Sequence, residues 1–213
     1  MSSLRISEIF LSLQGESRSV GFPTVFIRLT GCPLRCQYCD TSFAFQGGEH
    51  IEIDKIIEQV DQYRVHHVCV TGGEPLAQKE CLSLLKQLCD KGYEVSLETS
   101  GSLDVSEVDQ RVVKVMDLKT PASDEIEKNC YENISLLTPR DQVKFVLCNR
   151  EDYLWAKEIL LHHDLPAICE VLFSPSYDQL APRELAQWII DDHLPVRFQL
   201  QLHKILWGEE QGR

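Results

Sequence analysis

The sequence predicts an α/β fold arranged as an incomplete, TIM-like βα barrel. Short apolar runs rich in β-branched residues alternate with amphipathic stretches, which is the pattern of repeated strand-helix units. Near-continuous apolar runs, such as residues 143–147, indicate parallel strands covered by helices. A complete eight-unit barrel takes about 250 residues. The 213 residues here contain seven predicted strands and about five helices, so the barrel is expected to stay open.

Each predicted element follows from a local pattern. The strands are the β-branched apolar runs at residues 25–29, 67–70, 94–98, 112–118, 143–147, 168–173 and 197–202. The helices are the stretches between them, at residues 54–63, 78–91, 123–137, 152–163 and 183–193. Asp54 and Ser123 can cap two of these helices, and Pro182 stands just before the last. Because no linker or low-complexity run divides the chain, residues 1–213 are expected to form one domain.

Composition and charge exclude several classes of protein. Hydrophobic residues make up 43% of the chain and charged residues 25%, which excludes a disordered protein. The 33 acidic and 21 basic residues give a net charge of −12, which disfavours binding to nucleic acid. No apolar run reaches the roughly 18 residues of a membrane span, and the N-terminus lacks the apolar core of a signal peptide. A cytoplasmic protein with a small-molecule partner is expected.

Nine cysteines, an odd number, argue against a disulfide framework and for reduced thiols. Three of them, Cys32, Cys36 and Cys39, form a Cys-x3-Cys-x2-Cys cluster in the loop after the first predicted strand. Closely spaced thiolates of this kind hold iron–sulfur clusters. With no nearby fourth cysteine, one iron of a four-iron cube would keep an open position, as catalytic metal sites do. Zinc binding and incidental cysteines are the alternatives. The other six cysteines are expected to be buried small residues.

The cysteine loop on a partial α/β barrel resembles the radical S-adenosylmethionine (SAM) superfamily. Thr71, Gly72, Gly73, Glu74 and Pro75, after the second predicted strand, resemble that superfamily's Gly-Gly-Glu-Pro segment. The resemblance implies a barrel of the radical SAM type and a [4Fe-4S] cluster whose open iron is chelated by SAM. It also implies that reductive cleavage of SAM yields a 5′-deoxyadenosyl radical. A glycyl-radical activating enzyme, which shares the loop, and a nonenzymatic zinc- or cluster-binding module are the rival interpretations.

The segment Leu13, Gln14, Gly15 and Glu16, together with Arg28 and the cysteine loop, resembles the 7-carboxy-7-deazaguanine synthase family of queuosine and deazapurine biosynthesis. The resemblance implies a lyase that contracts the ring of 6-carboxy-5,6,7,8-tetrahydropterin to 7-carboxy-7-deazaguanine with loss of ammonia. It also implies Mg²⁺ bound by Thr41, a homodimer and an electron donor such as flavodoxin.

The same resemblance assigns residues to the two ligands. Those implied to contact the pterin are Leu13, Gln14, Gly15, Glu16, Arg28 and Thr71. Those implied to contact SAM are Tyr38, Asp40, Gly73, Glu74, Ser100, Asp117, Leu118, Lys119, Phe173, Ser174, Pro175 and Ser176. From the residues alone, Arg28 either grips a substrate carboxylate or completes an internal ion pair. The roles of Lys144, His203 and residues 207–213 stay open.

Overall fold

The computed structural model describes residues 2–208, 210 and 212. Within these residues there are nine strands: β1 (Ser3–Leu13), β2 (Pro23–Leu29), β3 (Glu49–Glu52), β4 (His67–Gly72), β5 (Glu94–Thr99), β6 (Val113–Asp117), β7 (Gln142–Leu147), β8 (Glu170–Pro175) and β9 (Arg197–Phe198). The α-helices are α1 (Ile53–Tyr63), α2 (Cys81–Asp90), α3 (Arg150–His162), α4 (Leu165–Ile168), α5 (Pro182–Asp191) and α6 (Leu202–Trp207). None of the described helices combines the length and the hydropathy of a membrane span.

All nine described strands belong to one sheet, in the order β3-β1-β2-β4-β5-β6-β7-β8-β9. The seven strands from β2 to β9, leaving out β3, pair in parallel, and β1 pairs antiparallel with both β2 and β3. The sheet ends at β3 and β9 without closing on itself. The predicted α/β partial barrel is therefore confirmed.

Side chains of each parallel strand alternate between two environments, because successive residues of a strand point to opposite faces. In β2, Val25, Ile27 and Leu29 pack into a core cluster with apolar residues of α1 and α2. A second cluster joins β6, β7 and β8 to α3, α4 and α5, and contains Phe145 and Phe173. The residues between these, such as Arg28 and Lys144, face the other side of the sheet, where α1 to α5 do not pack.

Helix starts follow local chemistry in two places. Asn149 caps α3 by accepting a hydrogen bond from the amide of Asp152 at 3.0 Å. Pro182 occupies the first turn of α5, where its missing N–H costs nothing. Asp54 lies inside the first turn of α1 and does not cap it, although its negative charge there favours the helix dipole.

The predicted helix at residues 123–137 is wrong. The structure has three short 3-10 turns there, Pro121–Ser123, Ile126–Lys128 and Tyr131–Leu136, so Ser123 caps no α-helix. Asp124 adopts a left-handed conformation with φ of 61°, which interrupts a helix. The side chain of Asn129 bonds the backbone of Lys119 through both its oxygen and its nitrogen, each at 2.8 Å. Such side-chain bonds to the backbone compete with helical ones.

Sheet edges also differ from the sequence expectation. β1 and β3 are absent from the predicted strands. β3 is the short edge strand, and β1 lies between β3 and β2 with a register shift between Ile6 and Glu8 that hides its period of two. The strand predicted at residues 197–202 is only two residues long, and α6 begins at Leu202. The strand predicted at 168–173 begins at Glu170, after the short α4.

Candidate active site

A cavity of about 440 Å³ lies on the concave side of the sheet, at the carboxyl ends of the parallel strands. Its walls come from the end of β1, from β2, the cysteine loop, β4 to β7 and the segment around α6. In parallel α/β sheets and barrels, ligands bind at this end of the strands. A volume of several hundred cubic ångströms is typical of small-molecule sites.

The three clustered cysteines, Cys32, Cys36 and Cys39, all line this cavity and are half-buried. The pKa of Cys36 is raised to about 11, chiefly by burial; Lys119 lowers it, whereas Asp117 and the other two thiols contribute to the rise. Burial likewise raises the pKa of Cys32. In the apoprotein Cys36 is therefore protonated at neutral pH, and it would lose its proton on ligating a metal.

The remaining cysteines stay away from the cavity wall. Five of them, Cys69, Cys81, Cys89, Cys148 and Cys169, are buried as predicted. The prediction is wrong for Cys130, which is half-buried and lies 3.3 Å from Glu132. Cys130 sits among the 3-10 turns that replace the predicted helix, where Ile134 and Leu137 enter the core and Cys130 instead contacts Glu132.

The Gly-Gly-Glu-Pro turn after β4 packs directly behind the cysteine loop. The amide of Glu74 donates to the carbonyl of Gly31 at 2.8 Å. A Cβ atom at Gly73 would overlap the Gly31 carbonyl and come within 2.9 Å of the Cys32 Cβ. The two motifs are thus one structural unit, and the close approach of backbone to backbone requires the glycine.

Glu74 is fully buried and its carboxylate does not line the cavity. It accepts hydrogen bonds from the Ser100 amide at 2.7 Å, the Ser100 hydroxyl at 2.6 Å, the Thr99 hydroxyl at 3.0 Å and the Leu76 amide at 3.0 Å. Ser100 does line the cavity. The carboxylate therefore fixes the end of β5 against the Gly-Gly-Glu-Pro turn.

Replacing Glu74 by glutamine should destabilise the protein by about 2–4 kcal/mol, since a buried carboxylate loses charge-assisted bonds and the new amide nitrogen faces donors. Urea unfolding followed by circular dichroism measures this. Glu80→Gln is the matched control, because Glu80 is exposed and makes no cap hydrogen bond with its side chain. Equal midpoints for Glu74→Gln and wild type would contradict the role.

The segment directly after β1, residues 14–16, also lines the cavity. Gln14 is 2% exposed; its Oε1 accepts from the Glu16 amide at 3.2 Å, and its Nε2 has no partner among the described residues. A buried, unpaired donor beside a cavity is a ready contact for a polar ligand. The hydroxyl of Thr71, another residue of the cavity wall, donates to Glu98 at 2.9 Å. Gly15 packs against the ring of His203 so closely that a Cβ atom at position 15 would overlap that ring.

Arg28 completes an internal ion pair and also lines the cavity. Its Nε donates to Glu8 Oε1 at 2.6 Å, across the β1–β2 pair. Its guanidinium also lies 5.8 Å from the ring centres of Phe10 and Phe43, and it lines the cavity. Glu8 and the two rings thus hold the guanidinium in a fixed orientation at the cavity wall.

A network of charged residues crosses the cavity. Lys144 lies 2.5 Å from Glu16 and 3.6 Å from Asp117, and Asp117 lies 3.2 Å from Lys119. Burial would raise the pKa of Glu16, but Lys144, with His203 and Gln201, lowers it to about 2. Glu16 is therefore ionised at every pH near neutrality.

The sequence-predicted site residues divide into two groups. The cavity is lined by Leu13, Gln14, Gly15, Glu16, Arg28, Cys32, Cys36, Tyr38, Cys39, Asp40, Thr41, Thr71, Gly73, Ser100, Asp117, Lys119 and Ser176. It is not lined by Glu74, Leu118, Phe173, Ser174 and Pro175. Leu118 and Phe173 belong to the core cluster with α3 and α5, because strand alternation turns their side chains toward the helices.

Sequence reasoning did not assign several residues that line the cavity. They include Phe10, Phe26, Glu98, Lys144, Gln201, His203 and Lys204. Lys144 was detectable as a charge inside an apolar strand, whereas Gln201 and His203 come close only through the fold. Residues 209, 211 and 213 of the C-terminal tail lie outside the described residues.

The cavity fits an iron–sulfur cluster that has one iron without a protein ligand. Three thiols face it from one loop, and no fourth cysteine is among the described residues that line it. No three His, Cys, Asp or Glu side chains in residues 2–208, 210 and 212 converge on a single-ion position. Thiolates are the ligands that iron–sulfur clusters take. Cys32, Cys36 and Cys39 are thus suited to hold a four-iron cube.

Comparisons with known proteins agree with this geometry. Residues 26–162 match the model of the Radical SAM superfamily. The chain is 45% identical to the 7-carboxy-7-deazaguanine synthase of Chlorobaculum tepidum, covering 97% of this chain and 96% of that protein. It is 40% identical to the same-named protein of Koribacter versatilis, covering 97% and 98%.

A solved structure shares the fold. The crystal structure of QueE from Escherichia coli superposes with a TM-score of 0.79 at 23% identity, covering 94% of this chain and 95% of that one. Motif geometry, family match and full-length similarity point the same way. The chain therefore belongs to the radical SAM superfamily, whose members use a [4Fe-4S] cluster and SAM, and within it to the 7-carboxy-7-deazaguanine synthase family.

Proposed function

We propose that the protein is a radical SAM lyase that converts 6-carboxy-5,6,7,8-tetrahydropterin to 7-carboxy-7-deazaguanine with release of ammonia, in queuosine or deazapurine biosynthesis. The observation that carries the proposal is the composition of one cavity. Its wall combines three thiols on one loop with the polar residues Gln14, Glu16 and Arg28. A substrate between them would lie within reach of both.

The residues of the chain would share the work as follows. Cys32, Cys36 and Cys39 would hold the cluster, and the cluster with SAM would supply the 5′-deoxyadenosyl radical. Backbone at Gly73, with Ser100, Asp117 and Lys119, would bind SAM beside the cysteine loop. The apolar rings of Phe10 and Phe26 would help to exclude water from the reacting carbon.

Substrate recognition would rest on charge and hydrogen bonding. A guanidinium can hold a carboxylate by two parallel hydrogen bonds, so Arg28 would take the carboxylate of the pterin. Glu16 would accept hydrogen bonds from ring N–H groups, since it is ionised, and the unpaired Nε2 of Gln14 would donate to a ring oxygen. Leu13, Gly15 and Thr71 would complete the pterin-binding region.

Thr41 would bind Mg²⁺ together with substrate oxygens, as a hard cation prefers. Its hydroxyl lies 3.8 Å from the Cys39 thiol and faces the cavity. Thr41→Val keeps the shape and removes the oxygen ligand. We expect it to lower Mg²⁺-stimulated turnover by about 10-fold, equivalent to about 1.4 kcal/mol.

A Mg²⁺ titration of initial rates measures the effect of Thr41→Val. Ser42→Ala is the control, because it removes the next hydroxyl along the chain, which is exposed and outside the cavity. The same Mg²⁺ response in Thr41→Val and wild type would contradict the assignment of Thr41 as a Mg²⁺ ligand.

The proposal also covers the localisation, the electron donor, the domain organisation and the oligomeric state of the protein. Reduced cysteines and an oxygen-sensitive cluster suit the cytoplasm, and a reduced flavodoxin would supply the electron. The single continuous sheet supports one domain over residues 1–213, and a homodimer is proposed from the family resemblance.

One assay separates this function from its rivals. Anaerobically reconstituted protein is given 6-carboxytetrahydropterin, SAM, Mg²⁺ and dithionite, and the product is followed by absorbance and mass spectrometry. The proposal expects a deazaguanine and one equivalent of ammonia. SAM cleavage without a deazaguanine would favour an activating enzyme, and no SAM cleavage with bound zinc would favour a nonenzymatic module.

A further inference from the structure

Lys144 is a nearly buried cation that lies between two carboxylates from distant parts of the chain, Glu16 and Asp117. Its side chain is 12% exposed. Its Nζ lies 2.5 Å from Glu16 Oε2 and 3.6 Å from Asp117 Oδ2. Glu16 follows β1 in the proposed pterin-binding region, and Asp117 ends β6 in the proposed SAM-binding region. One ammonium therefore contacts both binding regions.

Each carboxylate has a second partner that defines its direction. Gln201 donates to the other oxygen of Glu16 at 2.8 Å, and Lys119 lies 3.2 Å from the other oxygen of Asp117. The result is a line of contacts from the segment before α6, through β7, to the end of β6. Two lysines balance the two carboxylates of this line, and Glu98, another carboxylate of the cavity wall, also acts on Lys144 through its charge.

Removing the Lys144 ammonium would leave both Glu16 and Asp117 without the cation between them. A buried carboxylate without its cation takes up a proton or turns toward water. Glu16 and Asp117 would then both lose the geometry in which they face a ligand. If Lys144 acted on only one of the two binding regions, its removal would leave the other region unchanged.

We propose that Lys144 is a positioning residue that couples pterin binding to SAM binding, by holding Glu16 and Asp117 in one fixed arrangement. This inference rests on the proposed function for the identity of the two ligands. The ammonium acts through the two carboxylates and not by touching a ligand itself.

The test measures binding without turnover. Cluster-loaded, unreduced protein is titrated with 6-carboxypterin, a stable relative of the substrate, and separately with SAM, using calorimetry. Lys144→Met should weaken each ligand by about 10-fold or more. Lys144→Arg should stay within about 3-fold of wild type, since it restores the cation. Lys157→Met is the matched control, because Lys157 also pairs with a carboxylate, Asp192 at 3.0 Å, but lies outside the cavity.

A double-mutant cycle separates positioning from direct contact. If Lys144 acts through Glu16, Lys144→Met should change 6-carboxypterin affinity by less than about 2-fold in a Glu16→Gln background. A full effect in that background would overturn the proposal, as would weakening of only one ligand by Lys144→Met.

A second measurement covers the case in which Lys144→Met fails to fold or to load its cluster. Coupling through Lys144 predicts that Glu16→Gln, in the proposed pterin-binding region, weakens SAM by more than about 3-fold. Unchanged SAM affinity there would overturn the coupling. Wild-type protein that forms no deazaguanine would refute the proposed function, while the SAM titrations of Glu16→Gln and Lys144→Met would still decide the inference.

Discussion

Replacing Cys36 by alanine is expected to abolish both cluster assembly and turnover while leaving the fold intact. Cys36 is the central member of the three thiols on the cavity wall, and no cysteine among the other described residues that line the cavity could replace it. A cube held by two thiolates would lack one of its protein corners. The thiol itself is half-buried and bears none of the core packing, so the fold should not depend on it.

Two measurements check this expectation. Iron and sulfide content with the visible absorption spectrum report the cluster, and circular dichroism reports the fold. Cys130→Ala is the control, because Cys130 is also half-buried but lies outside the cavity. It should keep its cluster and full activity. A Cys36→Ala protein that assembled a four-iron cluster and turned over substrate would disprove the ligand assignment.

Replacing Arg28 by alanine should raise the Michaelis constant for the pterin by about 10- to 150-fold, with a smaller effect on kcat. The loss of a charged hydrogen bond is worth about 1.5–3 kcal/mol, and each 1.4 kcal/mol is a factor of ten. The effect should fall on binding because Arg28 lies in the wall that also carries Gln14 and Glu16.

Because Arg28 also pairs with Glu8, the effect of Arg28→Ala on binding has to be separated from its effect on stability. Arg28→Ala also leaves Glu8 without the partner that it has at 2.6 Å, so a loss of stability has to be measured separately. Glu8→Gln is the comparison variant. Its side-chain oxygen can still accept from the Nε of Arg28, and because Glu8 does not line the cavity, the variant removes only a charge outside it. It should raise the Michaelis constant by less than about 5-fold. An unchanged constant in Arg28→Ala would refute the carboxylate-binding role.

Local patterns were sufficient for much of the fold and part of the site. The β-branched runs predicted parallel strands, and six of the seven predicted strands overlap an observed strand of four residues or more. The rule that ligands gather at the carboxyl ends of those strands brought Cys32, Thr71, Ser100 and Lys119 to one cavity. These predictions succeeded because backbone periodicity and turn chemistry are properties of neighbouring residues.

Other predictions failed because long-range contacts override local preference. Residues 123–137 carry helical spacing, yet the reciprocal bonds between Asn129 and the Lys119 backbone hold the segment in turns. β1 becomes recognisable only when it pairs with β2 and β3. The bonds from Ser100 to the Glu74 carboxylate join residues 26 positions apart, so local patterns did not indicate them either.

The sequence by itself determined the order of the parallel strands, the cysteine loop and the glycine turn, because each depends on residues that are close along the chain. Only the tertiary structure decided which charges meet. Glu16 and Lys144 are 128 positions apart, and Glu16 and Gln201 are 185 apart, so no local pattern relates them. A buried charge is tolerable only beside an opposite charge or a hydrogen-bond donor. The sheet supplies that neighbour by setting strands and loops from distant parts of the chain side by side.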